Sequence, residues 1–184
     1  MLLLRDLPKY ETLLEYASRY PEINPGAVEA YLHMLRLSSD IINEVERFFA
    51  SYGCSQGRFT ILALLNRDPN TPLNPADLAR RSGVTRATIT GLLQGLEHDG
   101  LIERESSDDD KRMFFVMLTK KGRKYVDEVL PELFRRIKEL MSGLAESERK
   151  QFLTLLDKVG TRIPVLAMPT RPTAKSYSRA RARL

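Results

Sequence analysis

Between residues 85 and 98 the chain interleaves two kinds of side chain. Ile89, Leu92, Leu93 and Leu96 recur at i, i+3, i+4 and i+7, the spacing that gathers apolar groups on one side of an α-helix. The other side carries Ala87, Thr90, Gly91, Gln94 and His98, after Thr85, Arg86 and Thr88 in the first turn. The chemistry on offer is hydrogen bonding at close backbone approach. Ala87 and Gly91 remove bulk, so such a helix can lie deep in a DNA major groove. Thr90 and Gln94 then supply polar readout of base edges, and Arg86 reaches guanine or phosphate. Thr85 and Thr88 join the candidate contacts. The alternative is a solvated helix face that is merely small and polar.

The elements that must position these residues lie on either side. From Leu78 to Thr119 the sequence reads as helix, tight turn, helix and hairpin, the order of a winged helix-turn-helix. Gly83 sits where two short helices turn, and Thr85 can accept a hydrogen bond from an orphaned amide at the start of the second. Gly100 suits the left-handed end of that helix. Leu101, Ile102 and Arg104 begin an extended run, Ser106 to Lys111 form a polar tip, and Met113 to Leu118 suit a returning strand. Thr119 then caps a helix opening with Lys120, Lys121 and Gly122. Of the carboxylates Asp108, Asp109 and Asp110 at the tip, Asp110 lies two residues before Arg112, on the same side of an extended chain. It can orient that guanidinium toward a narrow minor groove, with Lys111 between them. The alternative is an acidic turn with a solvated ion pair worth roughly 0 to 1 kcal/mol.

These segments resemble the multiple antibiotic resistance regulator (MarR) family of winged-helix transcription factors. The matching residues are LARRSGVTRATITGLLQGLEHDGLIER, the wing sequence Asp110-Lys111-Arg112 and the following LTKKG, within a resemblance that runs by element order from Ala30 to Arg162. It implies an obligate homodimer on pseudopalindromic double-stranded promoter DNA, usually a repressor released by a small ligand or an oxidant. It also implies that the second helix enters the major groove and Arg112 the flanking minor groove.

Composition allows this. The chain has 184 residues, 42% of them hydrophobic, which suits one compact domain with extensions. No apolar run approaches membrane-spanning length, and Leu2 to Leu4 is too short for a signal-peptide core, so a cytoplasmic protein with no membrane partner is expected. The net charge of +5 matches the five cations Arg171, Lys175, Arg179, Arg181 and Arg183 of a tail without acids, so the rest of the chain is neutral. DNA affinity must then come from where charges sit: Arg80, Arg81, Arg86, Lys111, Arg112, Lys120 and Lys121.

The flanks carry more apolar surface than a small winged domain can cover. Val28, Tyr31, Leu32, Leu35, Ile42, Val45 and Phe49 form one stripe. Tyr125, Val129, Leu133, Ile137 and Leu140 form a second, which Pro131 is expected to kink or divide. After a break at Ser142 and Gly143, Phe152, Leu153, Leu155, Leu156 and Val159 form a third. Interlocking the helices of two subunits would bury them and set the reading helices roughly 34 Å apart. A monomer with its own helical bundle is the alternative. The expected fold is mainly α with a small β-hairpin wing. Residues 1–53 and 120–163 serve dimerisation, 54–119 DNA binding, and 164–184 form a basic tail whose composition predicts disorder. Asp6 to Tyr20 reads as an extra amphipathic helix.

For the effector, the family's cleft between dimer helices and winged domain corresponds to Tyr31–Ser38 and Cys54–Leu62. His33, Arg36 and Arg58 can converge on a carboxylate, with Tyr31, Met34 and Phe59 as apolar walls, which suits a small aromatic acid. Alternatively, Arg36 and Arg58 form structural ion pairs with acids such as Asp40 or Asp68. Cys54 is the only cysteine, so one chain holds no internal disulfide, and its position departs from the N-terminal cysteine of peroxide-sensing relatives. A redox-responsive repressor and a winged-helix protein-interaction module without DNA binding are the rival functions. His33 and His98 are too far apart in sequence to mark a zinc site. No phosphate loop, helical histidine pair or serine elbow suggests an enzyme, and no cofactor is expected.

Overall fold

A computed structural model describes residues 6–67, 71–106 and 114–167. Their order is α1 (Tyr10–Arg19), α2 (Pro25–Ser51), α3 (Gln56–Arg67), α4 (Pro75–Ser82), α5 (Arg86–His98), β1 (Ile102–Ser106), β2 (Phe114–Leu118), α6 (Lys120–Leu140), α7 (Glu146–Gly160) and a closing 3-10 turn (Ile163–Ala167). This is the mainly helical winged fold that the sequence predicts, extra N-terminal helix included. The chain divides into two compact units, the boundary falling within α6 after Pro131.

Local chemistry fixes the helix starts in the first unit. Asn24 accepts from the Ala27 amide at 3.0 Å, with Pro25 opening α2. Asn74 accepts from the Asp77 amide at 2.9 Å, with Pro75 opening α4. Each cap satisfies an amide that the helix itself leaves unpaired, and proline at the first position lacks the donor that would be orphaned there.

The core of this unit is the winged domain. Ile61, Leu62, Leu78, Ile89, Leu93, Leu96, Val116 and Val126 are buried. Each such side chain contributes roughly 1.5–3 kcal/mol relative to exposure. Strands β1 and β2 pair antiparallel, with Ile102 opposite Leu118 and Arg104 opposite Val116. Leu73 extends this sheet by one bridge, its carbonyl accepting from the Val116 amide at 2.9 Å. Aromatic packing brings α2 and α6 onto α3. Phe49 stacks on Phe59 with centroids 4.6 Å apart, and Tyr125 lies 6.5 Å from Phe59. Helix α1 packs on α2 through buried Leu13.

Pro131 does not divide its helix. Although proline removes one bond from the ladder, α6 is continuous from Lys120 to Leu140. Val126 and Val129, before the proline, are buried. In the second unit Phe134, Ile137 and Leu140 are exposed, and α7 has no buried residue at all. Of the tail 164–184, expected to be disordered, residues 164–167 belong instead to the 3-10 turn, and those from 168 onward lie outside the described residues.

Candidate nucleic-acid interface

The turn into α5 is built from two backbone requirements. Gly83 adopts φ 70°, a left-handed conformation that costs glycine little, and closes α4. Two residues later the Thr85 hydroxyl accepts from the Thr88 amide at 3.2 Å and lies 2.9 Å from the Thr88 hydroxyl. The expected cap is therefore present, and the Thr88 side chain takes part in it.

Helix α5 buries Ile89, Leu93 and Leu96 and leaves Arg86, Ala87, Thr88, Thr90, Gly91, Gln94 and His98 exposed, as Thr85 is. Leu92 is half-buried. The face expected to read DNA thus points to solvent. A β-carbon added at Gly91 would meet nothing within 4 Å. Packing among the described residues does not require a glycine there. The Thr90 hydroxyl donates to the Arg86 carbonyl at 3.0 Å.

The cations fall into two groups. Arg81 and Arg86 are exposed and form no ion pair among the described residues. Arg80 instead pairs with Asp77 at 2.7 Å, and the Lys121 ammonium donates to the Asp99 carbonyl at 2.7 Å. The wing rises from β1 and β2. Arg104 ties it to α5 through Glu97 at 2.9 Å and lies 4.8 Å from the centre of the Phe114 ring. Asp110, Lys111 and Arg112, expected at the wing tip, lie outside the described residues.

The carboxyl end of α5 carries a cluster that sequence reasoning missed. Gly100, at φ 67°, lets the Leu101 amide return to the Leu96 carbonyl at 2.9 Å. Arg58 of α3 donates to the Gly95 carbonyl at 3.1 Å and also to the Asp99 carboxylate. The hydrogen bond from Arg58 and then its charge hold the Asp99 carboxyl below the usual carboxylate range. Thr119 donates to the Gly100 carbonyl at 2.7 Å and accepts from the Gly122 amide at 3.0 Å, which caps α6 as expected. Asp99 stands 41 residues from Arg58, and neither carries a local motif that announces the pair.

The expected effector residues are not gathered by one chain. Tyr31 lines a cavity of about 500 Å³ with Tyr20, Ile23 and Val28. Arg58 lines another of about 240 Å³ with Tyr52, Cys54, Asp99, Lys121 and Tyr125. His33 is exposed, Met34 is half-buried, and Arg36 pairs with Asp40 at 2.7 Å. Phe59 is a core residue, 3% exposed, because it stacks on Phe49. Arg36 thus follows the ion-pair alternative with Asp40. Arg58 does so with Asp99 rather than Asp68, which lies outside the described residues.

Cys54 is buried, and burial pushes its thiol up, against the lowered value that a reactive thiolate needs. Burial likewise raises the hydroxyl of Tyr125, which donates to the Tyr52 carbonyl at 3.1 Å. Among the described residues no group of three or more His, Cys, Asp or Glu could hold a metal ion, and no helix is long and apolar enough to cross a membrane.

An exposed, capped helix of small and polar residues beside a two-stranded wing defines a winged helix-turn-helix DNA-binding protein. Comparisons with known proteins carry this to a family. The family model described as MarR family matches residues 52–113. The HTH-type transcriptional repressor YetL of Bacillus subtilis is 37% identical over 162 residues, covering 88% of this chain and 97% of YetL. The transcriptional repressor MprA of Escherichia coli K12 is 27% identical, over 83% of this chain and 88% of MprA. Among solved structures, MepR of Staphylococcus aureus in complex with DNA superposes with a TM-score of 0.64 at 23% identity, covering 73% of this chain and 95% of MepR. The chain belongs to the MarR family of DNA-binding transcriptional regulators, which are not enzymes.

Proposed function

We propose that the protein is a homodimeric, sequence-specific repressor acting in the cytoplasm, which reads a pseudopalindromic operator with α5 and leaves it when a small aromatic acid binds. The observation that carries the DNA reading is the exposed face of α5, where Gly91 faces open space and Thr90 and Gln94 stand beside it. Arg86 supplies the long cation of the first turn, and Arg112, with Asp110 and Lys111, supplies the minor-groove contact. YetL and MprA are both named repressors, which favours repression over activation.

The dimer is supported by Phe152, Leu153, Leu155, Leu156 and Val159, an apolar stripe left in solvent on α7. Apolar surface of this extent usually marks an interface. Residues 1–53 and 120–163 are assigned to it, and 54–119 to the DNA-binding domain. The effector reading keeps Tyr31, His33, Met34, Arg36, Arg58 and Phe59 as its region. Its best support is the cavity beside Arg58, lined also by Lys121, Tyr52 and Tyr125, where an aromatic carboxylate would compete with Asp99 for the two cations. The buried thiol of Cys54 favours ligand release over oxidation.

The test is selection of duplexes from a random library by the full-length protein, followed by mobility shifts and sedimentation. Recovery of a two-fold symmetric site bound by a dimer, lost on removal of the Arg86 and Arg112 side chains, is expected. A monomer, or binding without sequence preference, would overturn the reading, the latter in favour of a protein-interaction module. Calorimetry against benzoates and salicylates tests the effector.

A further inference from the structure

A helix leaves its last four carbonyls without partners and gathers partial negative charge at that end. In α5 the Asp99, Gly100 and Leu101 amides return to the Gly95, Glu97 and Leu96 carbonyls, and cations from elsewhere add to this negative end. Arg58 reaches the Gly95 carbonyl and the Asp99 carboxylate, and Lys121 reaches the Asp99 carbonyl. The Arg58 side chain is 21% exposed and that of Asp99 42%, so the bond from α3 to α5 is shielded from water on the Arg58 side and open on the other.

Gly95 and Asp99 do not lie on the face that carries Ala87, Thr90, Gly91 and Gln94. At 3.6 residues per turn Gly95 sits roughly a quarter turn, and Asp99 roughly a third of a turn, round the helix from its centre. Arg58 is thus placed to hold α5 without being part of its reading face. We infer that Arg58 is a positioning residue for DNA recognition, setting through Gly95 and Asp99 the angle at which α5 presents Arg86, Thr90 and Gln94. This rests on the proposal that α5 is the reader.

Leverage makes the contact matter. The 13 residues of α5 span about 20 Å, so a tilt of roughly 5° about the anchored end moves the other end by about 1.7 Å. Hydrogen bonds to base edges hold only over a range of about 0.5 Å. Phosphate contacts through long cations follow such a shift more readily. Loss of the anchor should therefore cost sequence preference before it costs general affinity.

The experiment compares Arg58→Met, Asp99→Asn, the double variant and Arg58→Lys in the full chain. The probes are a duplex selected from a random library by the parent protein and poly(dI-dC) as nonspecific DNA. Arg86→Ala serves as the control for the reader. Each single loss of the pair is expected to weaken the selected duplex about tenfold, the equivalent of about 1.4 kcal/mol. Affinity for poly(dI-dC) and its salt slope stay unchanged, and the double variant is no worse than either single one. Arg58→Lys recovers part of the loss, since one ammonium reaches one partner but not both. Circular dichroism melting reports folding. Asp99→Asn and Arg58→Lys carry the test if Arg58→Met does not fold.

Parent-like binding by the single variants, or losses that multiply in the double variant, would overturn the inference. So would an equal loss on both DNAs with the salt slope reduced by about 1, the mark of a direct phosphate contact. An intact affinity in Arg86→Ala would overturn the reader assignment and this inference with it. Weakening by Arg86→Ala alone would overturn only the role of Arg58.

Discussion

The Leu101 carbonyl oxygen lies 2.0 Å from where a β-carbon on residue 122 would stand. Gly122 is one of the first residues of α6, and Leu101 follows the end of α5. The absence of a side chain therefore sets how closely the two elements approach. The Thr119 bonds to Gly100 and Leu101 operate at the same junction.

Gly122→Ala must move backbone, since the clashing atom is a carbonyl and not the end of a flexible side chain. A loss of about 1–3 kcal/mol is expected, as for an overpacked core. Denaturant unfolding measures it, and a parent-like midpoint would refute the close contact.

Gly91→Ala separates stability from binding. The added methyl meets open space, and alanine favours a helix interior over glycine by about 1 kcal/mol. The variant is expected to melt higher yet bind a selected duplex more weakly. Tighter or unchanged binding would count against a close approach to DNA at this position.

Leu153→Glu with Leu156→Glu places two charges on the exposed stripe of α7. Sedimentation equilibrium is expected to show a monomer, because burying unpaired carboxylates in an interface costs more than the apolar contact returns. A surviving dimer would place the interface elsewhere.

Asp99 makes stability depend on acid. Its carboxyl is held below its ordinary 3.8 in the folded chain, chiefly by the Arg58 hydrogen bond. The folded state therefore favours the ionised form. The stabilisation is complete above the unfolded value, near pH 4, and is lost as pH falls through the lower folded value. Asp99→Asn should flatten that part of the stability profile while leaving its course above pH 5 parallel to the parent. An identical acid limb in both proteins would show that the pair does not contribute.

Cys54 should react slowly with a thiol-specific disulfide reagent at neutral pH, since burial opposes the thiolate. Cys54→Ser should retain DNA binding, and peroxide should not release the parent protein through this residue. Stoichiometric labelling within the mixing time would reopen the redox alternative.

What was legible in the sequence was what neighbours along the chain decide. The period of Ile89, Leu93 and Leu96, the turn at Gly83, the left-handed Gly100, and the caps at Thr85 and Thr119 are all properties of a few adjacent residues, and each recurs in the structure. The Arg58–Asp99 contact and the Leu73–Val116 bridge join distant segments and have no local signature. Phe59 looked available as a cavity wall because its spacing from Phe49 along the chain says nothing of stacking. Arg36 was open to two readings, and the nearer partner, Asp40 one turn on, holds it.

The hydroxyl of Thr90 has already given its hydrogen to the turn below it. Only lone pairs remain to face outward, so whatever meets this side chain must bring the proton. Along a major groove the amino groups of adenine and cytosine can do so, whereas the oxygens of guanine and thymine cannot. If α5 reads DNA as proposed, one backward hydrogen bond within the helix would leave Thr90 to those two amino groups.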